Sequence, residues 1–174
     1  MEYEEKIAKY CFIEKPFAKR GRFLTRMTPV NQVKHLLSTL YPITCEKNLI
    51  RLGPQGDGGY LVPDDLEGIE ACSSPGVSSV SGFEKECANR NIKVFLADKS
   101  VENPAEYYDL FHFTGKFIGS IENDSYITLD NWVNAHSPNP KKDLLLQMDI
   151  EKAEYEVLHS ISETTLSRFR IMVI

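Results

Sequence analysis

The hydrophobic positions change period within Asp143 to Leu158, DLLLQMDIEKAEYEVL. Leu144, Leu145 and Leu146 form a continuous apolar run that Met148 and Ile150 extend, the pattern of a strand buried on both faces of a parallel sheet. Beyond it, Ala153, Val157, Leu158 and Ile161 fall on one helical face, with Glu154, Glu156 and Ser160 turned away. Asp149 and Glu151 lie at the junction. Two carboxylates at the carboxyl end of such a strand stand where open α/β sheets bind their ligands.

Periodicity divides the rest of the chain. Residues 1 to 27 are mixed and charged, and read as a short helix followed by a docking arm. Thr28-Pro29 offers a capping hydroxyl and a first-turn proline to a helix carrying Val33, Leu36, Leu37 and Leu40, which Pro42 ends. Asn48 to Leu52 is a strand, Gly53 to Tyr60 (GPQGDGGY) a loop, and Leu61-Val62 an extended return. A strand over Ile69 to Cys72 leads through the loop SSPGVSS to a helix with Val80, Phe83, Cys87 and Ala88 on one face. Lys93 to Ala97 is the next strand, with Asp98 at its end. A helix is expected over Asn103 to Asp109 and a strand over Phe111 to Phe117. Gly119 to Ser125 is a polar loop, and Thr128 caps a helix over Leu129 to Ala135 with Trp132 and Val133 facing inward. Turn formers fill Ser137 to Lys142, and Phe169 to Ile174 is a last strand.

Strands alternating with helices predict an α/β fold, a doubly wound, mostly parallel Rossmann-like sheet. The expected division is an N-terminal helical arm and cap at 1–45 and an α/β domain at 46–174. Because the last apolar strand runs to the end of the sequence, the domain is expected to be C-terminally incomplete, a fragment or a shortened family member. An open apolar sheet edge of that kind invites pairing with a second copy.

Charge and cysteines narrow the partners. The formal net charge of -5 argues against a nucleic-acid backbone as partner. Lys15, Lys19, Arg20, Arg22 and Arg26 crowd together, as a solvated face or an N-terminal arm does. Cys11, Cys45, Cys72 and Cys87 form no CxxC and have no histidine at ligand spacing, so no metal site is expected of them. Cys72 and Cys87 fall at core positions, and a reduced, cytoplasmic protein is the simplest account. No apolar run reaches membrane-span length, and MEYEEKIAKY is too charged for a signal peptide.

The candidate chemistry gathers around glycines and carboxylates. Gly56 to Gly59 suits a plain hairpin turn or a close approach of backbone to ligand. Gly76 in its loop and Asp98 about 20 residues later suit a nucleotide-type ligand, or an ordinary tight turn. A nicotinamide dehydrogenase is disfavoured, because the three-glycine fingerprint and a Tyr-x-x-x-Lys pair are missing. Asp149 and Glu151 are the candidate general bases, acting directly or through a divalent metal that nothing else in the sequence supports; equally, they suit a helix cap and a first-turn carboxylate. His112 reads as a strand residue and His136 as a loop residue.

Three segments taken together, GDGGYLVPDDL (56–66), FLADKS (95–100) and LLLQMDIEKAEYEVL (144–158), with Thr128-Leu129-Asp130 ahead of the third, resemble the FkbM-like family of S-adenosylmethionine-dependent methyltransferases. The resemblance spans about Leu49 to Ile174. It implies a class I methyltransferase fold, S-adenosylmethionine as cofactor, and O-methylation of a small-molecule or carbohydrate hydroxyl. By position, Gly76 with its neighbours Ser74 and Ser78 would face the methionine part of the cofactor, and Asp98 its ribose. Glu122 or Asp124 would reach the adenine edge, and Asp149 would sit near the transferred methyl with Glu151 beside it. Asp57, Gly59 and Tyr60 would line the same cavity. The chain departs from the family at Lys152, where a glycine is usual, and in lacking the two strands and the acidic residue that ordinarily follow the one at 169–174. A chain without them would be a non-catalytic, cofactor-binding module, which is the alternative reading.

Overall fold

The computed structural model describes residues 28–77 and 80–174, in two units, Met1–Thr44 and Cys45–Ile174. The expected short helix and arm, the basic cluster at 15–26, Cys11 and Ser78 lie outside the described residues. In the first unit, α1 (Val30–Thr39) forms where its apolar spacing places it, with none of its residues buried. Its N-cap is Pro29, without the side-chain hydrogen bond expected of Thr28.

The second unit contains β1 (Leu49–Leu52), β2 (Tyr60–Pro63), β3 (Ala71–Pro75), α2 (Gly82–Asn89), β4 (Lys93–Ala97), β5 (Phe111–Thr114) and β6 (Phe117–Gly119). It continues with β7 (Tyr126–Thr128), α3 (Leu129–His136), β8 (Leu144–Gln147), α4 (Glu154–Ser160), α5 (Glu163–Leu166) and β9 (Phe169–Val173). Five strands make one parallel sheet in the order β5-β4-β3-β8-β9. The first strand of this sheet, β3, is at its centre, and the chain winds outward first through β4 and β5, then through β8 and β9. The order therefore reverses between β3 and β8, the switch point of a doubly wound fold. β1 and β2 form a separate antiparallel hairpin, and β6 and β7 a short parallel pair.

Residue alternation sends each strand into two cores. On one face Cys72, Val94, Leu96, Leu145 and Ile171 pack with Leu52 and Val62 of the hairpin and with Phe83 and Cys87 of α2. On the other face Ala71, Phe95, Ala97, Leu144, Leu146 and Phe169 pack with Trp132 and Val133 of α3 and Val157 of α4. Leu144, Leu145 and Leu146 are each fully buried, which is why the sequence carries three leucines in a row instead of an alternation. Truncating any one to alanine costs roughly 2–5 kcal/mol at a site so enclosed.

Local signals explain most boundaries. Thr128 Oγ1 accepts from Asn131 N at 3.3 Å and starts α3. Asn91, at φ 62°, turns the chain out of α2 towards β4. Three further expectations fail in this unit's elements. Asn103 to Asp109 does not form a helix: Tyr107 is 86% exposed, so the segment has no apolar stripe to lay on the core. The run Phe111 to Phe117 breaks in two, because Lys116 N bonds Thr114 O at 2.8 Å in a tight turn through Gly115. Val80, assigned to the buried face of α2, precedes the helix and is 53% exposed. β7 and the short α5 carried no legible signal. α5 is tied to α3 through Asp130, whose carboxylate accepts from Ser162 N, Ser162 Oγ and Thr165 Oγ1.

Candidate functional site

The carboxyl ends of β3, β4 and β8 open into a cavity of about 490 Å³ at the switch point. Its floor is the turn after β3. Gly76 sits at φ +90°, and a Cβ built there would fall 1.8 Å from the carbonyl oxygen of Asp149. Only glycine lets the two strand ends approach this closely. Gly76 N donates to Ala97 O at 3.0 Å, linking the turn to β4 as well.

Asp98, at the end of β4, is 9% exposed and borders the cavity. Its Oδ2 accepts from Val77 N at 3.1 Å. Its Oδ1 accepts from Ser100 N and Ser100 Oγ, both at 2.6 Å. The carboxylate thus fixes the glycine turn and its own loop, and one of its roughly four lone-pair positions, on Oδ2, is left for a ligand.

Asp149 and Glu151 both line the cavity, and both are exposed to solvent. Between β8 and α4 the chain passes through two consecutive left-handed residues, Glu151 at φ 55° and Lys152 at φ 83°. Glu154 pins this turn by accepting from Ile150 N at 2.9 Å. Hydrogen bonds from backbone N–H groups, its own first and those of Ile150 and Lys152 after, hold the Glu154 carboxyl below its usual range, against a smaller opposing effect of burial. Sequence periodicity turns Glu154 towards solvent; its place one turn after a strand end is the available signal. Lys152 occupies a left-handed conformation that favours glycine. It lies outside the cavity lining and makes no ion pair with Glu151 or Glu156 among the described residues.

The other expected site residues are distributed around this cavity. Ser74 belongs to β3 instead of a loop and is 1% exposed. Its hydroxyl lies 2.6 Å from both Glu84 Oε1 and Gln147 Oε1, beneath the crevice and outside its lining. One hydroxyl proton serves one of these contacts, so the other needs a protonated Glu84 or the amide nitrogen of Gln147 turned inward. Burial pushes the Glu84 carboxyl up, with Ser74 partly opposing.

Tyr60 borders a neighbouring cavity, which also includes Asp149. Its ring meets Phe83 edge-on at 5.7 Å. Burial raises its phenol above the ordinary value, a hydrogen bond with Gln147 opposes this, and the charges of Asp149, Asp57 and Glu84 raise it further. Asp57 is exposed in the hairpin loop, where its Oδ1 accepts from Gly58 N at 3.1 Å. Gly59 packs against Pro54, whose carbonyl oxygen lies 1.8 Å from where a Cβ would stand. Neither borders the switch-point cavity, so the hairpin glycines serve the loop's own packing there. Glu122 is exposed, accepts from Asn131 Nδ2 and lies outside the lining.

Sequence reasoning missed the apolar wall of the cavity, Phe117, Ile118 and Tyr126. These residues belong to two three-residue strands, and strands that short leave almost no periodic signal. His136 stacks on Phe95 at 4.5 Å and is depressed by burial and by His112. It belongs to the packing under α3. Among the described residues no three His, Cys, Asp or Glu side chains are grouped to hold a metal ion, and no helix is long and apolar enough to cross a membrane.

Compared with curated proteins and with solved structures, the chain gives no significant match. A family model described as the methyltransferase FkbM domain matches residues 76–174. The match begins at the glycine turn and leaves the Asp-Gly-Gly-Tyr hairpin outside it. Covering more than half of the 174 residues and every strand of the sheet from the Gly76 turn onward, it shows that the chain belongs to the FkbM methyltransferase domain family.

Proposed function

We propose that the chain is an S-adenosylmethionine-dependent O-methyltransferase for a small-molecule or carbohydrate hydroxyl. The observation that carries this reading is the meeting of Gly76, Asp98 and Asp149 around one cavity at the switch point of a parallel sheet. Its volume of about 490 Å³ lies within the range typical of small-molecule and cofactor sites. When bound, S-adenosylmethionine supplies a sulfonium methyl, which an oxygen nucleophile takes as the carbon–sulfur bond breaks and sulfur keeps the electron pair.

The chain's own residues have three tasks. Asp98 offers its remaining lone pair to a ribose hydroxyl while holding the Gly76-Val77 turn in place. The close approach of Gly76 to Asp149 keeps the cofactor floor and the reacting edge of the crevice in fixed register, which alignment of donor and acceptor requires. Asp149 accepts the acceptor hydroxyl's proton as the new oxygen–carbon bond forms, and Glu151 stands beside it at the mouth.

Calorimetric titration with S-adenosylhomocysteine, with NAD in parallel, tests the cofactor class. Micromolar binding of the first and none of the second is expected. A folded chain that binds neither would leave a non-catalytic module as the better description. Asp149→Asn is expected to keep S-adenosylhomocysteine affinity within about twofold while turnover falls by about 10²–10⁴, the range of a lost general base. An active variant would remove Asp149 from that role.

A further inference from the structure

A methyl transfer needs two ligand sites that meet at one point, and the cavity just described accounts for one. A second cavity, also about 490 Å³, lies against it. Asp149 is the residue common to both linings. Another neighbouring cavity, under β6 and α4, shares Ile118, Tyr126 and Ala153 with the first and does not include Asp149. Asp149, the proposed proton acceptor, therefore borders the second cavity and not the third.

The walls of the second cavity have a definite chemistry. Met148, Leu158 and Ile174 are apolar, Tyr60 and Tyr155 are aromatic, and Asp149 and Glu154 are acidic, with Glu154 also accepting from Ile150 N. Tyr60 is fixed in place by its edge contact with Phe83. Tyr155 is 80% exposed, an aromatic face at the mouth with nothing stacked on it among the described residues. Among the described residues no Lys, Arg or His borders the cavity. Asp57 adds its charge at the Tyr60 wall. An anionic ligand would meet like charge there with no counter-ion among the described residues, and such repulsion is an effective means of discrimination.

We infer that the cavity walled by Tyr60, Met148, Asp149, Glu154, Tyr155 and Leu158 is the acceptor site, and that it takes a ring-bearing alcohol without acidic groups. The inference rests on the methyltransferase reading.

The test uses three probes of one skeleton and different charge: 4-ethylphenol, tyramine and 3-(4-hydroxyphenyl)propionate. Binding to the full chain is followed by saturation-transfer NMR in the presence of S-adenosylhomocysteine, whose own affinity is measured first. Failure of S-adenosylhomocysteine to bind would count against the parent reading; its binding without any probe would overturn the acceptor site alone. The neutral and cationic phenols are expected to bind, and the propionate at least tenfold more weakly. Leu158→Trp, which fills the cavity, should abolish probe binding and leave S-adenosylhomocysteine affinity within twofold. Tyr155→Ala, at an exposed position that does not endanger folding, should weaken the phenols at least fivefold. Glu154→Gln should narrow the gap between the propionate and the other two probes. Equal or tighter binding of the propionate, or probe binding indifferent to both Leu158→Trp and Tyr155→Ala, would overturn the assignment.

Discussion

Replacing Gly76 by alanine isolates the contact on which the crevice depends. Two effects add at that position. Alanine at φ +90° adopts a left-handed backbone, at about 1–2 kcal/mol. Its Cβ must also retreat from 1.8 Å to at least 3.0 Å from the Asp149 carbonyl oxygen, a shift of 1.2 Å against backbone and not against a flexible side chain. That shift strains the Gly76 N–Ala97 O bond at 3.0 Å and the longer Asp149 N–Pro75 O contact at 3.5 Å, a further ~1 kcal/mol. The expected loss is roughly 2–3 kcal/mol. At about 2–4 °C per kcal/mol for a chain of this size, the melting temperature should fall by roughly 4–12 °C. Two other glycines separate the contributions. Gly58 has φ +74° with nothing within 4 Å of where a methyl would stand, so Gly58→Ala carries the backbone strain alone, about 1 kcal/mol. Gly56 has neither feature, and Gly56→Ala should be neutral within about 0.5 kcal/mol. Thermal melts of the three variants give the ranking, and calorimetry with S-adenosylhomocysteine gives the consequence for the site, at least a tenfold loss for Gly76→Ala only. A Gly76→Ala variant as stable as Gly58→Ala would refute the close approach of the strand ends.

Asp98→Ala removes three hydrogen bonds from a buried carboxylate, so it should both weaken S-adenosylhomocysteine at least tenfold and lower stability by roughly 1–3 kcal/mol; calorimetry and urea unfolding read the two separately, and unchanged affinity would refute the ribose assignment. Glu84 has a folded-state pKa above its unfolded one, so the stability it contributes is complete below the unfolded value and is lost as pH rises through the folded value. Glu84→Gln should therefore gain on the native chain as pH rises from the ordinary carboxylate range through the raised folded-state value, and urea midpoints that keep a constant gap would contradict the burial argument. Lys152→Gly relieves about 1–2 kcal/mol of left-handed strain against about 0.5–1 kcal/mol of added chain entropy, a net gain below about 1.5 kcal/mol visible in a thermal melt; a destabilised variant would mean that Lys152 makes contacts worth more than its strain.

The sequence by itself determined the parallel sheet and the end of the sheet at which chemistry occurs. The runs at 94–97 and 144–148, apolar but for the buried Gln147, have no face to give to water, so they must be covered on both sides, and crossover helices supply that cover. A carboxylate directly after such a run, as at Asp98 and Asp149, must then lie at the carboxyl edge. Tertiary structure decided which residues meet there. Ser74 looked like a loop residue because serine and proline follow one another, yet strand pairing carries β3 through Pro75 and turns Ser74 into the buried network with Glu84 and Gln147. Tyr60 and Asp149, 89 positions apart in sequence, are brought to one cavity by the hairpin folding over α2, while Asp57, three residues from Tyr60, stays at the loop surface. The wall formed by Phe117, Ile118 and Tyr126 depends on pairing between two strands too short to show a period. Periodicity reports which face of an element is buried; it carries no information on which distant element buries it, and at this site that second fact selects the residues.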